Sequence, residues 1–287
     1  MKKIIDIRDQ LHLSGTEVQK LNFIKETGRY IFRKHYRSGL RSHIFEILLA
    51  RDVLKETQGE IRDGIRMFPR ARPRKMFRIL RNRFETKAAV FSEIEKYRIL
   101  LKALGPDFIA ESDEFIVDYT GTGKSQIVLC GLQEYVEGEI LDPWRLSGKN
   151  YLHHLFNSMP KTKNSPEMFA QKAKHNISKF VTLIRKMVID TEYIPDLAGV
   201  GNLILRSDGN LKLVDINNIV KIKFNDTILL DDKNYPSCDV SIEVLSILEG
   251  EILQIEPLPD DPLYRLFLAP ERKKQVKLLE KKFYKNL

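Results

Sequence analysis

The sequence contains few cysteines and no long apolar run. Its two cysteines, Cys130 and Cys238, are far apart and form no C-x-x-C pair. They therefore indicate neither a zinc site nor a disulfide framework, and we expect buried thiols in a reducing compartment. No apolar run approaches the ~20 residues that cross a bilayer. The first residues are basic but reach Asp6 at once, unlike a signal peptide. We expect a soluble, cytoplasmic protein.

Solenoid repeats and low-complexity tracts are also missing, which excludes repeat proteins and wholesale disorder. What remains is an ordinary globular composition, with 43% apolar and 30% charged residues in a chain of 287. A chain of this length can bury a sizeable core, as one large domain or as two lobes.

Basic residues outnumber acidic ones by 48 to 39, a formal charge of +9. Such an excess suits a polyanionic partner: a nucleic acid, a nucleotide or an anionic membrane surface. Much of it lies between Arg66 and Lys87, where Glu85 is the only acid, and the stretch from Arg272 to Lys285 is similarly basic. The first stretch is the most distinctive feature of the sequence.

The hydrophobic pattern predicts strands first and helices later. We predict a strand at Tyr30–Lys34, helix over 40–62, a basic amphipathic helix after Pro73 and a long helix over 84–104. A hairpin over 108–136 follows, then helices over 143–190, short strands at 202–205 and 211–214, and helices at 239–253 and in the tail. This order predicts an α+β fold in two lobes, residues 1–136 and 137–287, with a basic helical insert at about 37–86.

The segment Thr120–Ser125 ends like a phosphate-binding P-loop, G-x-x-x-x-G-K-[ST]. Asp118 stands where the first glycine of that motif belongs, and strand patterns flank the segment on both sides. A P-loop needs a strand followed by a helix. We therefore interpret this segment as a hairpin turn.

The stretch from Tyr193 to Asn217 carries the chemistry. A long apolar helix leads to Asp196 in a loop, Asn202 opens a short strand, and Asp215 follows the second strand of a hairpin. We expect these side chains to converge. Two carboxylates and an amide can hold Mg²⁺ on a polyphosphate and still leave one carboxylate for a hydroxyl group.

This stretch resembles the catalytic loop and metal-binding segment of protein kinases and their small-molecule and lipopolysaccharide-kinase relatives, H-R-D-x-x-x-x-N followed by D-F-G. The resemblance implies a two-lobed protein-kinase-like fold, a small antiparallel-sheet lobe with one helix and a larger, mainly helical lobe. It also implies that Asp196 is the catalytic base and that Asn202 and Asp215 are Mg²⁺ ligands. The chain departs from the pattern at Pro195, in one extra residue between Asp196 and Asn202, in Asp-Ile-Asn for Asp-Phe-Gly, and in having no glycine-rich loop.

The resemblance implies further site residues. Lys34 stands where the phosphate-pairing lysine of the third strand would be, with Glu95 as its ion-pair partner and Glu93 as the rival. Backbone groups of Glu134, Tyr135 and Val136 would bind the adenine of ATP. Asp239 would brace the catalytic loop.

The expected function is ATP- and Mg²⁺-dependent phosphorylation of a hydroxyl group. The expected acceptor is an acidic or phosphorylated glycan or glycolipid, such as a lipopolysaccharide core sugar, met at the inner face of the membrane. Two alternatives stay open: a kinase-like binding protein without catalysis, and a nucleic-acid-binding protein that uses the basic stretch. Against the latter, the sequence has no zinc spacing and no RNP-like aromatic motif.

Overall fold

The structure, a computed structural model, describes residues 6–36, 39–120, 123, 125–146, 150–160, 164–256 and 260–286. The chain forms two compact units. The first comprises residues 1–95 and 111–135, and the second comprises residues 96–110 and 136–287. The boundary between residues 135 and 136 lies within one residue of the expected position. The first unit is interrupted, however, because residues 96–110 belong to the second unit.

The first unit is built mainly from strands. Its elements are α1 (Gly15–Gln19), β1 (Tyr30–Lys34), β2 (Ser42–Leu49), α2 (Ala50–Gln58), β3 (Glu60–Arg62), β4 (Ile65–Met67), β5 (Lys75–Leu80), the start of α3 (Lys87–Leu104), β6 (Ser112–Tyr119) and β7 (Gln126–Gln133). Five of these strands form one antiparallel sheet in the order β1-β2-β5-β7-β6. The short strands β3 and β4 pair with each other in a separate hairpin.

The main sheet is covered on both faces. One face packs a cluster around Phe45, Phe77 and Val128, and Phe32 meets Phe77 edge-on. On the other face, Leu80 and Leu129 pack together with residues of helix α3, including Val90. Strand β5 lies at the centre of the sheet, so nearly all of its residues are buried.

Of two helices predicted in this unit, one is wrong in part and the other is wrong throughout. Residues 40–62 have apolar residues at helical spacing, but β2 occupies Ser42–Leu49 and only Ala50–Gln58 are helical. The basic amphipathic helix predicted after Pro73 is strand β5, and no helix lies between Gln58 and Lys87 in the described residues. Central strands buried on both faces lose the alternation that marks a strand, which explains both errors.

Arg78 explains why β5 looked like a basic surface helix. It is only 3% exposed, and its Nη2 donates to Ser112 Oγ and to the carboxylate of Glu114. Gly131 lies opposite Arg78 in the register, and a Cβ there would come within 2.7 to 2.9 Å of Glu114, Arg78 and Ser112. Arg78, which was expected on the surface, thus forms an internal ion pair with Glu114. The missing side chain of Gly131 leaves room for this pair.

The hairpin predicted over 108–136 is confirmed. Strands β6 and β7 pair over their full length, from Ser112 opposite Gln133 to Tyr119 opposite Gln126. Gly121, Thr122 and Lys124 lie outside the described residues, but the strand-then-strand context that argued against a P-loop is present.

The second unit is mainly helical. It contains the end of α3, then β8 (Glu139–Ile140), a 3₁₀ turn (Pro143–Arg145), α4 (Tyr151–Ser158), α5 (Pro166–Thr191), β9 (Tyr193–Pro195), β10 (Leu203–Leu205), β11 (Leu211–Leu213), β12 (Ile219–Lys221), α6 (Ser237–Ile247), a π-helical turn (Leu248–Leu253), α7 (Pro262–Phe267) and α8 (Pro270–Lys285). The predicted helices over 143–190, around 239–253 and in the tail are therefore present, as are the two short strands.

Helix α5 organises the core of this unit. Ser165 caps its start by accepting from Met168 N, with Pro166 at the first helical position, an arrangement that favours initiation. The buried stripe of the helix packs against strands β9 to β11 and the other helices. It ends at Glu192, whose φ of 56° turns the chain directly into β9. The core helix thus delivers the chain to the loop that contains Asp196.

The fold is mixed α and β, with an antiparallel sheet and several helices, as the α+β prediction requires. None of the helices in the described residues is long and apolar enough to cross a membrane. Cys130 and Cys238 are both buried free thiols, as expected from the sequence. Burial raises the pKa of each thiol far above its ordinary value.

Replacing Arg78 with Met should lower the free energy of unfolding by about 3 kcal/mol, because Glu114 would be left buried without its partner. The exposed ion-pair variant Arg83→Met is the matched control and should change it by less than about 0.5 kcal/mol. Urea unfolding measures both. Equal effects of the two variants would contradict the buried pair, and Arg78→Met combined with Glu114→Leu should recover much of the loss.

The native protein should resist thiol reagents at neutral pH, since both thiols are buried and their raised pKa keeps them protonated. Titration with an aromatic disulfide reagent should detect two thiols in denaturant and almost none without it. Rapid labelling of the native protein would contradict this account.

Candidate active site

Asp196 is positioned by a short antiparallel pair of strands. Strand β9 ends at Pro195 and pairs with β12, and the next backbone group, Asp196 N, donates to Asn218 O at 2.8 Å. Leu197 N then donates to Ser241 Oγ of helix α6 at 3.0 Å. The backbone on both sides of the Asp196 side chain is therefore fixed to neighbouring elements.

The carboxylate of Asp196 is oriented by two hydrogen bonds. Its Oδ1 accepts from Ala198 N at 2.9 Å, and its Oδ2 accepts from Asn218 Nδ2 at 2.8 Å. Asp196 is 8% exposed. A carboxylate oxygen has more than one lone-pair position, so these bonds orient the group and still allow a further donor.

Asn202 is tied to the same loop. Its Nδ2 donates to the carbonyl oxygen of Asp196 at 2.9 Å. A Cβ on Gly199 would lie 2.6 to 2.9 Å from atoms of the Asn202 side chain, so glycine makes room for the amide. Gly201 has a φ of 93°, which favours glycine. These two glycines show how the loop accommodates its extra residue and still brings Asn202 back to Asp196.

The hairpin β10–β11 brings Asp215 close to Asn202 in the fold. Leu203 pairs with Leu213, and Val214 N donates to Asn202 O at 2.8 Å, so Asn202 and Asp215 lie at one end of the hairpin. At the other end, Gly209 in the predicted Asp-Gly turn has a φ of 80°. Asn202 thus contacts the backbone of Asp196 and lies at the same hairpin end as Asp215, while convergence of the three side chains on one ligand stays a prediction.

Two oxygen atoms at this end of the hairpin can accept a ligand. Asp215 Oδ1 accepts from Asn217 N at 3.3 Å, while Asp215 Oδ2 and Asn202 Oδ1 receive no hydrogen bond from the described residues. Carboxylate and amide oxygens are the ligands that Mg²⁺ prefers, usually one or two of them together with water and phosphate oxygens. No cluster of three or more His, Cys, Asp or Glu side chains suited to a metal occurs in the described part of the chain. The donor set fits a metal held jointly with a phosphate.

Sequence reasoning missed the residues that support Asp196. Asn218 Nδ2, besides bonding Asp196, lies 3.2 Å from Ser237 Oγ and 3.4 Å from a carboxylate oxygen of Asp231. Ser237 donates to Asp231, whose other oxygen accepts from Lys233 N and Tyr235 N. The Asn217-Asn218 pair just after Asp215 was the available signal, because amide side chains next to a candidate metal-binding acid can form a hydrogen-bonded network.

The carboxylate of Asp239 does not bind the loop that contains Asp196, as the resemblance had implied. Its buried carboxylate pairs with Arg272 of helix α8, which also donates to the carbonyl oxygens of Asn225 and Thr227. Ser241, two residues further along α6, makes the bond to Leu197 N instead. Helix α6 thus supports the loop after Asp196 through the hydroxyl of Ser241, whereas Asp239 of the same helix binds helix α8.

Trp144, the only tryptophan of the chain, also contacts the loop. Its Nε1 donates to Ala198 O at 3.0 Å, two residues after Asp196, and Lys277 lies over its ring. The ring is partly exposed. Its fluorescence can therefore report on this loop.

Lys34 does not have the position assigned to it. It ends β1, the edge strand of the main sheet, whereas the third strand along the chain in that sheet is β5. The buried cation of β5 is Arg78, which pairs with Glu114 and has buried Nε and Nη1 atoms without a hydrogen-bond acceptor in the described residues. In the part of the chain that the structure describes, Lys34 forms no ion pair with Glu95. Sequence reasoning missed Arg78 because β5 was read as a surface helix.

The remaining predicted residues lie on α3 and after β7. Glu95 is exposed and Glu93 is half-buried on α3. Glu134, Tyr135 and Val136 follow β7, and Glu134 N donates to Glu111 O at 2.8 Å. The chain passes from the first unit to the second between Tyr135 and Val136. A role of these backbone groups in binding adenine stays a prediction.

No protein-family model matches the chain, and no curated protein matches it either. Its function is therefore inferred from the residues of the site themselves.

Replacing Asn218 with Ala should lower the free energy of unfolding by about 1–3 kcal/mol, because Asp196 Oδ2 and Ser237 would lose a buried donor. Asn150→Ala is the control: Asn150 is exposed and makes no capping hydrogen bond, so its loss should cost less than about 0.5 kcal/mol. Denaturant titration followed by Trp144 fluorescence measures both. An equally small effect at Asn218 would contradict the network.

Proposed function

We propose that the chain is an ATP- and Mg²⁺-dependent phosphotransferase with a two-lobed protein-kinase-like fold. The observation that carries this proposal is the arrangement around Asn202. Its amide nitrogen is bonded to the Asp196 carbonyl, its backbone carbonyl to Val214 N, and its Oδ1 accepts no hydrogen bond from the described residues. Asn202 thus connects the loop of Asp196, through its side chain, to the strand that leads into Asp215, through its backbone carbonyl. Phosphoryl transfer uses two such acids, one for the hydroxyl group and one for the metal.

The proposed roles follow from the geometry of each group. Asn202 Oδ1 and Asp215 Oδ2 would hold Mg²⁺, which neutralises charge on the phosphates when bound. Asp196, oriented by Ala198 N and Asn218 Nδ2, would receive the hydrogen bond of the acceptor hydroxyl. That hydroxyl oxygen forms a bond to the γ-phosphorus while the bond to the bridging oxygen breaks. ADP leaves, and the hydroxyl proton passes to Asp196.

The secondary structure of the two units also supports the proposal. It has an antiparallel five-stranded sheet with a helix inserted between the third and fourth of its strands along the chain, and the second unit is mainly helical with a short hairpin at the site. This is the division that the resemblance implied. Within it, the backbone of Glu134, Tyr135 and Val136 remains a proposed nucleotide contact, and Arg78 rather than Lys34 is the buried cation of the third strand.

We infer an acidic or phosphorylated acceptor, such as a sugar of a glycan or glycolipid. The excess of 48 basic over 39 acidic residues supports this choice, because a positive field raises the local concentration of anionic substrates.

A second candidate, a kinase-like binding protein without catalysis, is favoured by one observation. Asp196 is 8% exposed and both of its carboxylate oxygens already accept hydrogen bonds. A catalytic base must reach the proton that it accepts. Binding of ATP and Mg²⁺ without turnover would select this candidate.

Phosphoryl transfer from radiolabelled ATP to acidic glycans, or to water, tests the proposal. Asp196→Ala and Asp215→Ala should each reduce the rate at least about a hundredfold, since each removes a group acting in the transition state. Asp226→Ala, an exposed aspartate of the same unit, is the matched control and should retain the wild-type rate. Equal rates in all four proteins would contradict the assigned roles.

A further inference from the structure

The β3–β4 hairpin is the most unusual surface of the first unit. All ten residues from 61 to 70 are exposed, and four of them are large and apolar. Ile61 and Ile65 are each 66% exposed, Phe68 is 59% exposed and Met67 is 50% exposed. None of the four belongs to a hydrophobic cluster of the described residues. They therefore contribute little to the stability of the fold.

These side chains are nevertheless held in a defined geometry. Glu60, Ile61 and Arg62 pair with Met67, Arg66 and Ile65 in an antiparallel register. The connection is a two-residue turn, Asp63-Gly64, with φ values of 48° and 76°, the combination that a tight hairpin requires. At its base, Gly59 has a φ of 75°, and a Cβ there would approach Phe68 and Arg66. A hairpin of defined geometry that exposes isoleucine and phenylalanine indicates a surface that binds a partner.

The charged residues of the β3–β4 hairpin and the segment after it indicate the kind of partner that binds this surface. Arg62, Arg66 and Arg70 alternate with the four apolar residues, and Arg72 and Arg74 continue the series. The only acids in this segment are Glu60, which pairs with Lys55 and Arg62, and Asp63 in the turn. Arg70 forms no ion pair with the described residues. Each face of the hairpin carries both kinds of side chain, because Arg66 is paired with Ile61 and Arg62 with Ile65. Guanidinium groups next to exposed apolar side chains suit the boundary where the acyl chains of a lipid layer meet its phosphates.

We propose that residues 60–74, the arginine hairpin, bind the protein peripherally to anionic lipid membranes. Ile61, Ile65, Met67 and Phe68 enter the boundary between headgroups and acyl chains, while Arg62, Arg66 and Arg70 bind lipid phosphates. This inference does not rest on phosphotransfer, because it uses only the composition and exposure of the hairpin.

Flotation with lipid vesicles tests the proposal. The full-length protein should bind phosphatidylcholine vesicles that contain about 30 mol% phosphatidylglycerol, and this binding should weaken in about 0.5 M salt. Pure phosphatidylcholine should bind far less. Equal binding to both vesicle types would overturn the proposed role of the arginines.

Two hairpin variants separate the contributions of charge and apolar area. Replacing Arg62, Arg66 and Arg70 with Gln should weaken binding about a hundredfold, and replacing Ile61, Ile65 and Phe68 with Ser at least about tenfold. The matched control replaces Leu11, Ile189 and Leu278 with Ser, three apolar residues elsewhere that are each at least 65% exposed. Wild-type binding in either hairpin variant, or an equal loss in the control, would overturn the proposal.

Insertion can be observed directly. Both native cysteines are buried, so an environment-sensitive fluorophore can be attached selectively to Ile65→Cys, with Ile189→Cys as the control position. The emission of the label at residue 65 should shift to the blue when anionic vesicles are added, and that at residue 189 should not. If no vesicle binds while single-stranded RNA binds and depends on the same three arginines, the surface is for nucleic acid and the membrane proposal falls.

Discussion

Asn218 holds the candidate site together. Its backbone carbonyl accepts from Asp196 N, and its amide nitrogen donates to Asp196 Oδ2, so one residue fixes both the position and the orientation of that aspartate. The same amide lies against Ser237 and Asp231, which connects the site to the start of α6. Buried polar networks of this kind are stable only when each group has a partner. Without Asn218, Asp196 would face an incomplete set of donors.

The second constraint is the hairpin β10–β11. It places Asn202 and Asp215 at the same end, and the bond from Val214 N to Asn202 O closes that end. Asn202 then reaches back to the carbonyl of Asp196. The loop that contains Gly199 and Gly201 accommodates the one residue by which the spacing from Asp196 to Asn202 exceeds that of the kinase pattern. The longer spacing is therefore compatible with contact between Asn202 and Asp196.

The sequence predicted the second unit better than the first, for physical reasons. Helix α5 has a capped start and a continuous buried stripe, and the turn at Gly209 is a strong local signal, so both followed from periodicity and turn chemistry. In the first unit, β2 and β5 are buried on both faces and show no alternation. Arg78 added a charge that belongs to an internal pair with Glu114. Lys34 was misplaced because the third strand was not recognised, and Ser241 and Asn218 were missed because tertiary contacts define their roles.

Binding of ATP in the presence of Mg²⁺, measured by calorimetry with the intact protein, tests the central claim most directly. The account predicts saturable binding by the wild type and by Asp226→Ala, and binding at least about tenfold weaker in Asp215→Ala, where a metal ligand is lost. Thermal stability should rise with the nucleotide concentration in parallel. Equal affinity in Asp215→Ala and the wild type, or no binding by any of the three proteins, would contradict the assignment of this site.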